Sequence, residues 1–393
     1  MGSISNPAAM QPEALLVDTN RGSYPLWRSL RDHRWRVSVV GADPKAPLPR
    51  FSDRYIEANY VDGQALAAIV AERPWAAIIP GCTDASYRAC AALPGVSLRG
   101  FDSLQVVQQL FEKQGLRQLA TELGICQPAL LTVQEALKAE AVMVKPVDGF
   151  SGGGISKINQ PNDEKLEQAL VAARLRSPSG QALIEEFVDG QLYSHSAFIC
   201  SQQITHDFFV QEDCVDYPYA VDTSCIALDL AEPVKAQVRA DMQRLAQHLQ
   251  LVDGLLHSQF LVRDGQACLL EITRRHPGDL YGLLIQYATG FDYAARYLNG
   301  FLPEPIQPRD VQQELRPIIR RTITAGPGRD LWSLRFHEPV KIRQWIPLAV
   351  AGDHLAAAPQ GRAAIVFLEA DTQEQMRALY KKILGRSAYS FEN

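Results

Sequence analysis

The densest concentration of chemically capable residues lies in VKPVDGFSGGGISKI, residues 144–158. Lys145 closes an apolar run, and Ser151, Gly152, Gly153 and Gly154 follow it. Consecutive glycines let backbone N–H groups approach an anion without side-chain interference, and a lysine at a strand end adds positive charge beside them. That pairing suits phosphate oxygens. It differs from the P-loop, in which the lysine follows the glycines and a Ser or Thr follows the lysine. Taken alone, the same residues also describe a glycine-rich hairpin with a surface lysine.

Two later stretches bear on that choice. LIEEFVDG (183–190) sets an acidic pair, Glu185 and Glu186, ahead of Phe187 and Val188 on an apolar strand. Successive strand residues face opposite ways, so in an ordinary half-buried strand one of the two carboxylates would need a partner. HSQFLVRDGQACLLEITRRHPG (257–278) reads as a hairpin turning at Asp264-Gly265. Gln259 on its first strand and Glu271 on its second are oxygen donors of the kind that hold a divalent cation beside nucleotide phosphates. No convincing Ser/His/Asp or Cys/His set accompanies them. The seven cysteines (82, 90, 126, 200, 214, 225, 268) are odd in number and include no CxxC pair. They read as buried thiols of a reducing compartment, and Cys82, after Gly81 at a strand end, carries no nucleophile signature.

These groups need elements to position them. Strand runs at 14–20, 37–43 and 76–80 alternate with amphipathic stretches at Ser23 to Asp32 and Gly63 to Glu72. This βαβαβ pattern predicts a parallel sheet covered on both faces. No GxGxxG follows the first strand, which disfavours a dinucleotide site there. A helical segment from Leu104 to Leu123 ends at Gly124, with Pro128 soon after, and marks a boundary. A compact unit follows: a helix near Val133 to Ala139, the strand AVMVKP, the glycine loop, a helix near Asp163 to Arg174 and the strand ALIEEFV. From 193 to 272, β-branched runs predict an antiparallel sheet interrupted by a helix from Pro233 to Leu249. The tail from Arg316 ends in the strand AAIVFLEA and a helix from Thr372 to Leu384.

At 393 residues, the chain has material for two or three domains. Hydrophobic residues make up 47% and charged residues 21%, and 39 basic against 44 acidic side chains leave a net charge of −5. That balance gives no basic field for non-specific nucleic-acid binding. Its apolar runs stop well short of the ~20 residues a membrane-spanning helix needs. The opening MGSISNPAAMQPE lacks a secretory pattern, so a cytoplasmic location is expected. Residues 1–12 are polar and expected to be disordered.

Taken in order, these motifs resemble the ATP-grasp superfamily, from about Leu15 to the end of the chain. The resemblance implies an α/β and α+β architecture: an N-terminal parallel α/β domain (1–105), an ATP-grasp domain (106–300) with a mobile lid at about 128–188, and a C-terminal antiparallel-sheet lobe (301–393). It implies ATP and Mg²⁺ as cofactors. Lys145 resembles the strand lysine on the α and β phosphates, and residues 151–154 resemble the loop that closes over them. Lys113, in FEKQGLRQLATELGICQP, resembles the earlier phosphate-contacting lysine, with Glu112 in place of the usual Asp. Glu185 to Val188 resemble the adenine hinge, with Glu185 accepting from the exocyclic amine. Where the family places two acids and an asparagine at its metal site, this chain has Gln259, Glu271 and Thr273. Arg275 matches the arginine that holds an acyl phosphate or substrate carboxylate. Arg274 and His276 flank it, and His257 reads as a core histidine.

The implied reaction joins a carboxylate to an amine through an acyl phosphate, releasing ADP and phosphate. Amino acids or similar small acids are the expected substrates. An ammonium group would be read by Glu212, Asp213 or Asp216 in QEDCVDYPYAVDTS, and Arg320, Arg321 and Arg362 are candidates to close the substrate pocket. A bicarbonate-using carboxylase and a non-catalytic ATP-binding module are the alternatives. Oligomeric state stays open, with a homodimer as one option.

Overall fold

The computed structural model of the chain describes residues 11–94, 99–149 and 152–392. Most of the expected disordered N-terminus (residues 1–10) and the candidate Ser151 therefore lie outside the described residues.

The N-terminal domain comprises β1 (Glu13–Val17), α1 (Tyr24–Asp32), β2 (Arg36–Gly41), β3 (Arg54–Glu57), α2 (Gly63–Ala71), β4 (Ala77–Pro80) and α3 (Asp84–Ala91). The strands run parallel in the order β3-β2-β1-β4. β1, β2 and β4 are apolar runs because both sheet faces are covered: Leu16, Val39 and Ile79 pack toward α1, and Leu15, Val40 and Ile78 toward α2. The short edge strand β3 escapes sequence reading because RYIE carries charge at both ends. The Asp62 and Thr83 side chains accept the free N–H groups at the starts of α2 and α3, at 3.0 Å from Gln64 N and 3.0 Å from Ser86 N. The strand order reverses between β1 and β4, so the loops after these two strands, Asp18 to Ser23 and Gly81 to Thr83, open where α/β sheets receive ligands.

The helix expected over 104–123 is two helices, α4 (Leu104–Phe111) and α5 (Lys113–Glu122). Glu112 between them is extended, with ψ 124°, and serves as the N-cap of α5. The break puts Lys113 at the first position of a helix. Next come α6 (Val133–Ala136), β5 (Ala141–Pro146), β6 (Ser156–Asn159), α7 (Asp163–Arg176) and β7 (Ala182–Glu186). They form an antiparallel sheet, β6-β5-β7, on whose inner face Val142, Val144 and Ile184 meet Leu166, Leu170 and Ala173 of α7.

The remaining strands build one large antiparallel sheet. They are β8 (Gln191–Cys200), β9 (Gln203–Asp213), β10 (Thr223–Ile226), β11 (Gly254–Arg263), β12 (Gln266–Thr273), β13 (Ile318–Thr324), β16 (Lys341–Pro347) and β18 (Arg362–Glu369), in the order β12-β11-β8-β9-β10-β13-β18-β16. Two short pairs stand beside it: β14 (Arg329–Asp330) with β17 (His354–Leu355), and β15 (Ser333–Phe336) with β19 (Tyr389–Glu392). α8 (Glu232–His248) covers one face together with α5, and α9 (Tyr281–Thr289) and α10 (Tyr293–Leu298) cover the other. α11 (Gln373–Leu384) packs on the C-terminal strands. No helix among the described residues is long and apolar enough to cross a membrane.

A buried ion pair joins the N-terminal domain to this sheet. Asp102 and Arg274 meet at 2.8 Å with side chains 2% and 1% exposed. Asp102 also accepts from Val252 N (2.9 Å) and Tyr87 Oη (3.2 Å). Removing one partner strands the other charge in a low-dielectric site. Asp102→Ala should therefore lower unfolding free energy by about 3–5 kcal/mol, measured from its urea transition; a change below about 1 kcal/mol would contradict the assignment.

Candidate functional site

The chemically capable residues converge in the cleft between the β6-β5-β7 sheet and the large sheet. Lys145, near the end of β5, donates to Glu185 Oε2 on the adjacent strand β7 at 2.6 Å. Arg117, one turn along α5 from Lys113, donates from Nε to Glu185 Oε1 at 2.8 Å, and its Nη2 reaches the Leu270 carbonyl at 3.0 Å. Glu185 and Arg117 have side chains 0% and 2% exposed. Burial alone would raise the Glu185 carboxyl, but Lys145 and Arg117 outweigh it and hold it below the usual carboxylate range. Each Glu185 oxygen thus already accepts from a cation. Glu186, on the opposite face, pairs with Arg263 at 3.0 Å. Phe187 lies under the Lys157 ammonium, 3.5 Å from its ring centroid, and Val188 is buried.

Lys113 reaches across to the start of the glycine loop, 3.5 Å from the Val147 carbonyl and 3.4 Å from that of Gly149. Its ammonium is pulled down by burial, against the attraction of Glu271. Gly152 and Gly154 take φ of +71° and +77°, and a Cβ on Gly152 would sit 2.2 Å from the Tyr219 carbonyl oxygen. Glycine is required there. Gly153 lies between them. The loop is met from the other side by the segment after β9: Tyr217 Oη donates to the Gly152 carbonyl (3.3 Å) and Lys157 N donates to Tyr219 Oη (3.0 Å).

On the large sheet, Glu271, Gln259 and Ser194 stand directly opposite one another across β12, β11 and β8. Glu271 is exposed and has no side-chain hydrogen bond among the described residues. Gln259 donates its amide to Glu212 Oε2 at 2.6 Å, which leaves its own carbonyl oxygen as the donor toward a cation. Thr273 is turned elsewhere: its hydroxyl donates to Asp84 at 2.8 Å. No cluster of three or more His, Cys, Asp or Glu suited to a metal occurs among the described residues. A cation here would be held by Glu271 and the Gln259 carbonyl together with phosphate oxygens, an arrangement that suits Mg²⁺.

Adjacent residues divide the arginine roles. Arg274 is spent in the buried pair with Asp102, whereas Arg275 stays 20% exposed in the cleft, its Nε donating to Asp84 at 3.0 Å. His257 is a buried core histidine, 2.7 Å from Ser196 Oγ, kept neutral by burial that draws it down to about 3. His276 is likewise held down to about 4. Cys82 donates to Asp18 at 3.1 Å, and burial beside that carboxylate pushes its thiol well up, which favours the neutral thiol over a thiolate.

All three acids expected to read an ammonium already have partners. Asp213 accepts from Tyr380 Oη (2.7 Å), and Asp216 pairs with Arg321 and Thr324. Glu212 accepts from Gln259 at 2.6 Å, and burial, then the charge of Asp279, pushes its carboxyl up to about 8, which favours its neutral form. Arg321 is consumed by Asp216 and Asp222. Arg320 holds the Asp279 carbonyl at 2.6 Å, while Arg362 is exposed and has no carboxylate within ion-pair distance among the described residues.

No family model matches the chain. A curated relative, the formate-dependent phosphoribosylglycinamide formyltransferase of Shewanella amazonensis, is 27% identical over 168 residues, covering 40% of this chain and 43% of the relative. The chain thus matches less than half of that relative's length. Among solved structures, phosphoribosylglycinamide synthetase from Anaerococcus prevotii superposes with a TM-score of 0.75 at 12% identity, covering 97% of this chain and 99% of that one. An L-amino acid ligase from Bacillus licheniformis gives 0.74 at 14% identity, covering 98% and 100%.

The Lys145–Glu185–Arg117 cluster has a defined pH signature. A carboxyl with a depressed folded pKa contributes stability above its unfolded value and loses it as pH falls through the folded one. Glu185→Gln should cost about 3–5 kcal/mol at neutral pH by leaving two buried cations uncompensated. That gap should shrink as urea titrations move to acid pH, where the wild-type carboxyl is protonated. A gap that grows toward acid would contradict the cluster's electrostatics.

Proposed function

We propose that this chain, a member of the ATP-grasp superfamily by its fold, is an ATP-dependent carboxylate–amine ligase that works through an acyl phosphate. The observation that carries the reading is the approach of Lys113 and Arg275 to the exposed carboxylate of Glu271, with Lys145 beside Lys113. Three cations from separate elements thus gather near one acid, with the start of the glycine loop within reach of Lys113. Such an arrangement neutralises and positions a polyphosphate and demands no protein nucleophile.

In this reading, Lys113, Lys145 and the N–H groups of residues 152–154 hold the ATP phosphates. The backbone of Glu185 to Val188, rather than the Glu185 carboxylate, borders the adenine. Glu271 and the Gln259 carbonyl would hold Mg²⁺, which lends charge neutralisation between phosphates. The substrate carboxylate oxygen attacks the γ-phosphorus, and the bond to the ADP oxygen breaks. Arg275 then holds the acyl phosphate while an amine nitrogen attacks the acyl carbon and phosphate departs with the C–O bond's electron pair. Among the described residues, no acid of the 211–224 segment is left as an unpartnered anion to receive an ammonium, since Glu212 accepts from Gln259 and is raised by burial. Amino acids or similar small acids are the first substrate class of this reading. A one-carbon acid, formate or bicarbonate, is the second reading, favoured by the formate dependence named for the curated relative.

ADP and phosphate release, measured with Mg-ATP against amino acids singly and in pairs and with separate formate and bicarbonate arms, tests these readings. Release requiring an acid and an amine together, and falling at least about 100-fold in Lys145→Ala, is the expected result. Stimulation by formate or bicarbonate alone would replace the amino-acid reading, and ATP turnover undiminished in Lys145→Ala would refute the site.

A further inference from the structure

Asp84 opens α3, at the edge of the parallel sheet where its loops receive ligands, yet its bonds run across the domain junction. Its Oδ1 accepts from both Thr273 Oγ1 (2.8 Å) and Arg275 Nε (3.0 Å). Arg275 Nη1 also gives one N–H to the His276 carbonyl at 3.4 Å. A guanidinium is a rigid planar fork, so anchoring Nε fixes the direction of the N–H groups that remain on Nη1 and Nη2. Thr273 bears on the same carboxylate oxygen and thereby limits its rotation. Burial alone would raise the Asp84 carboxyl, but Arg275 and Thr273 hold it low, so it stays anionic.

We propose that Asp84 is a positioning residue of the ligase reaction, which orients the Arg275 guanidinium toward the acyl phosphate and is itself braced by Thr273. The proposal rests on the role given to Arg275 above. It also explains why a threonine stands at 273: its hydroxyl serves the arginine rather than a cation. A purely architectural role fits poorly. The Asp84 side chain keeps solvent access, 38% exposed, beside an Arg275 that is 20% exposed. The junction beside it is already tied by the fully buried Asp102–Arg274 pair.

The test uses the full chain with Mg-ATP and the acid and amine that sustain the greatest ADP release among the amino acids and one-carbon acids. Asp84→Ala should lower kcat about 10- to 100-fold and leave the KM for ATP within about twofold. Asp84→Asn, whose amide oxygen still accepts from Thr273 and Arg275, should recover most of the loss. In an Arg275→Lys background, Asp84→Ala should cost no more than about a further twofold, because residues acting through one group are not additive. Should Asp84→Ala fail to fold, Thr273→Val takes its place in the same cycle. Equal losses in both backgrounds, a wild-type rate for Asp84→Ala, or a loss carried by KM would overturn the proposal. A wild type that turns over beside an unaffected Asp84→Ala removes only the positioning role, whereas a wild type that turns over with no acid removes the ligase reading as well.

Discussion

One buried carboxylate organises the cleft. Glu185 sits between Lys145 on the neighbouring strand and Arg117 on α5, and Arg117 continues to the carbonyls of β12. Two cations can be kept out of water here only because a single anion satisfies both, and that anion is inaccessible to solvent. The requirement couples three parts of the molecule. The small sheet that carries the glycine loop, the helix that begins at Lys113, and the strand that carries Glu271 cannot separate without stranding a charge. Lys145 therefore reaches the cleft from a fixed base, partly neutralised and part-exposed, and is available to a second anion on its open side.

The same economy recurs at the junction with the N-terminal domain. Arg274 and Arg275 are consecutive, point in different directions, and each meets an aspartate supplied by that domain. The buried pair with Asp102 fixes the docking of the two parts, and the part-exposed pair with Asp84 leaves guanidinium donors facing the cleft. Structural and chemical duties are thus divided by solvent access. A charge sealed from water stabilises only with its partner, whereas one at a cleft edge can exchange partners with a ligand.

Much of this was legible in the sequence. The βαβαβ pattern, the small antiparallel unit, the strands from 191 to 273 and the lysine ahead of the glycines all lie where their periodicity places them, because each depends on local pattern. What escaped depends on partners distant in the chain. Arg117 reads as an ordinary helix arginine until Glu185 meets it across 68 positions. Glu185 reads as a nucleotide contact, and nothing local shows that it also holds Lys145 and Arg117. Thr273 reads as a weakened metal ligand until Asp84, 189 positions away, accepts its hydroxyl. Strand β13 was missed because IIRRTIT interrupts an apolar run with two arginines, whose burial is permitted only by Asp216, Asp222 and Asp279. The break at Glu112 leaves no proline or glycine to mark it.

The central claim is that a carboxylate oxygen becomes bonded to the γ-phosphorus in this cleft. Turnover with a carboxylate labelled with ¹⁸O, followed by mass spectrometry of the released phosphate, tests it most directly. The account predicts one labelled oxygen in each phosphate, because the acyl oxygen that attacked phosphorus leaves with it. Phosphate that carries no label, or that takes its oxygen from solvent water, would mean that no acyl phosphate forms and would contradict the assignment.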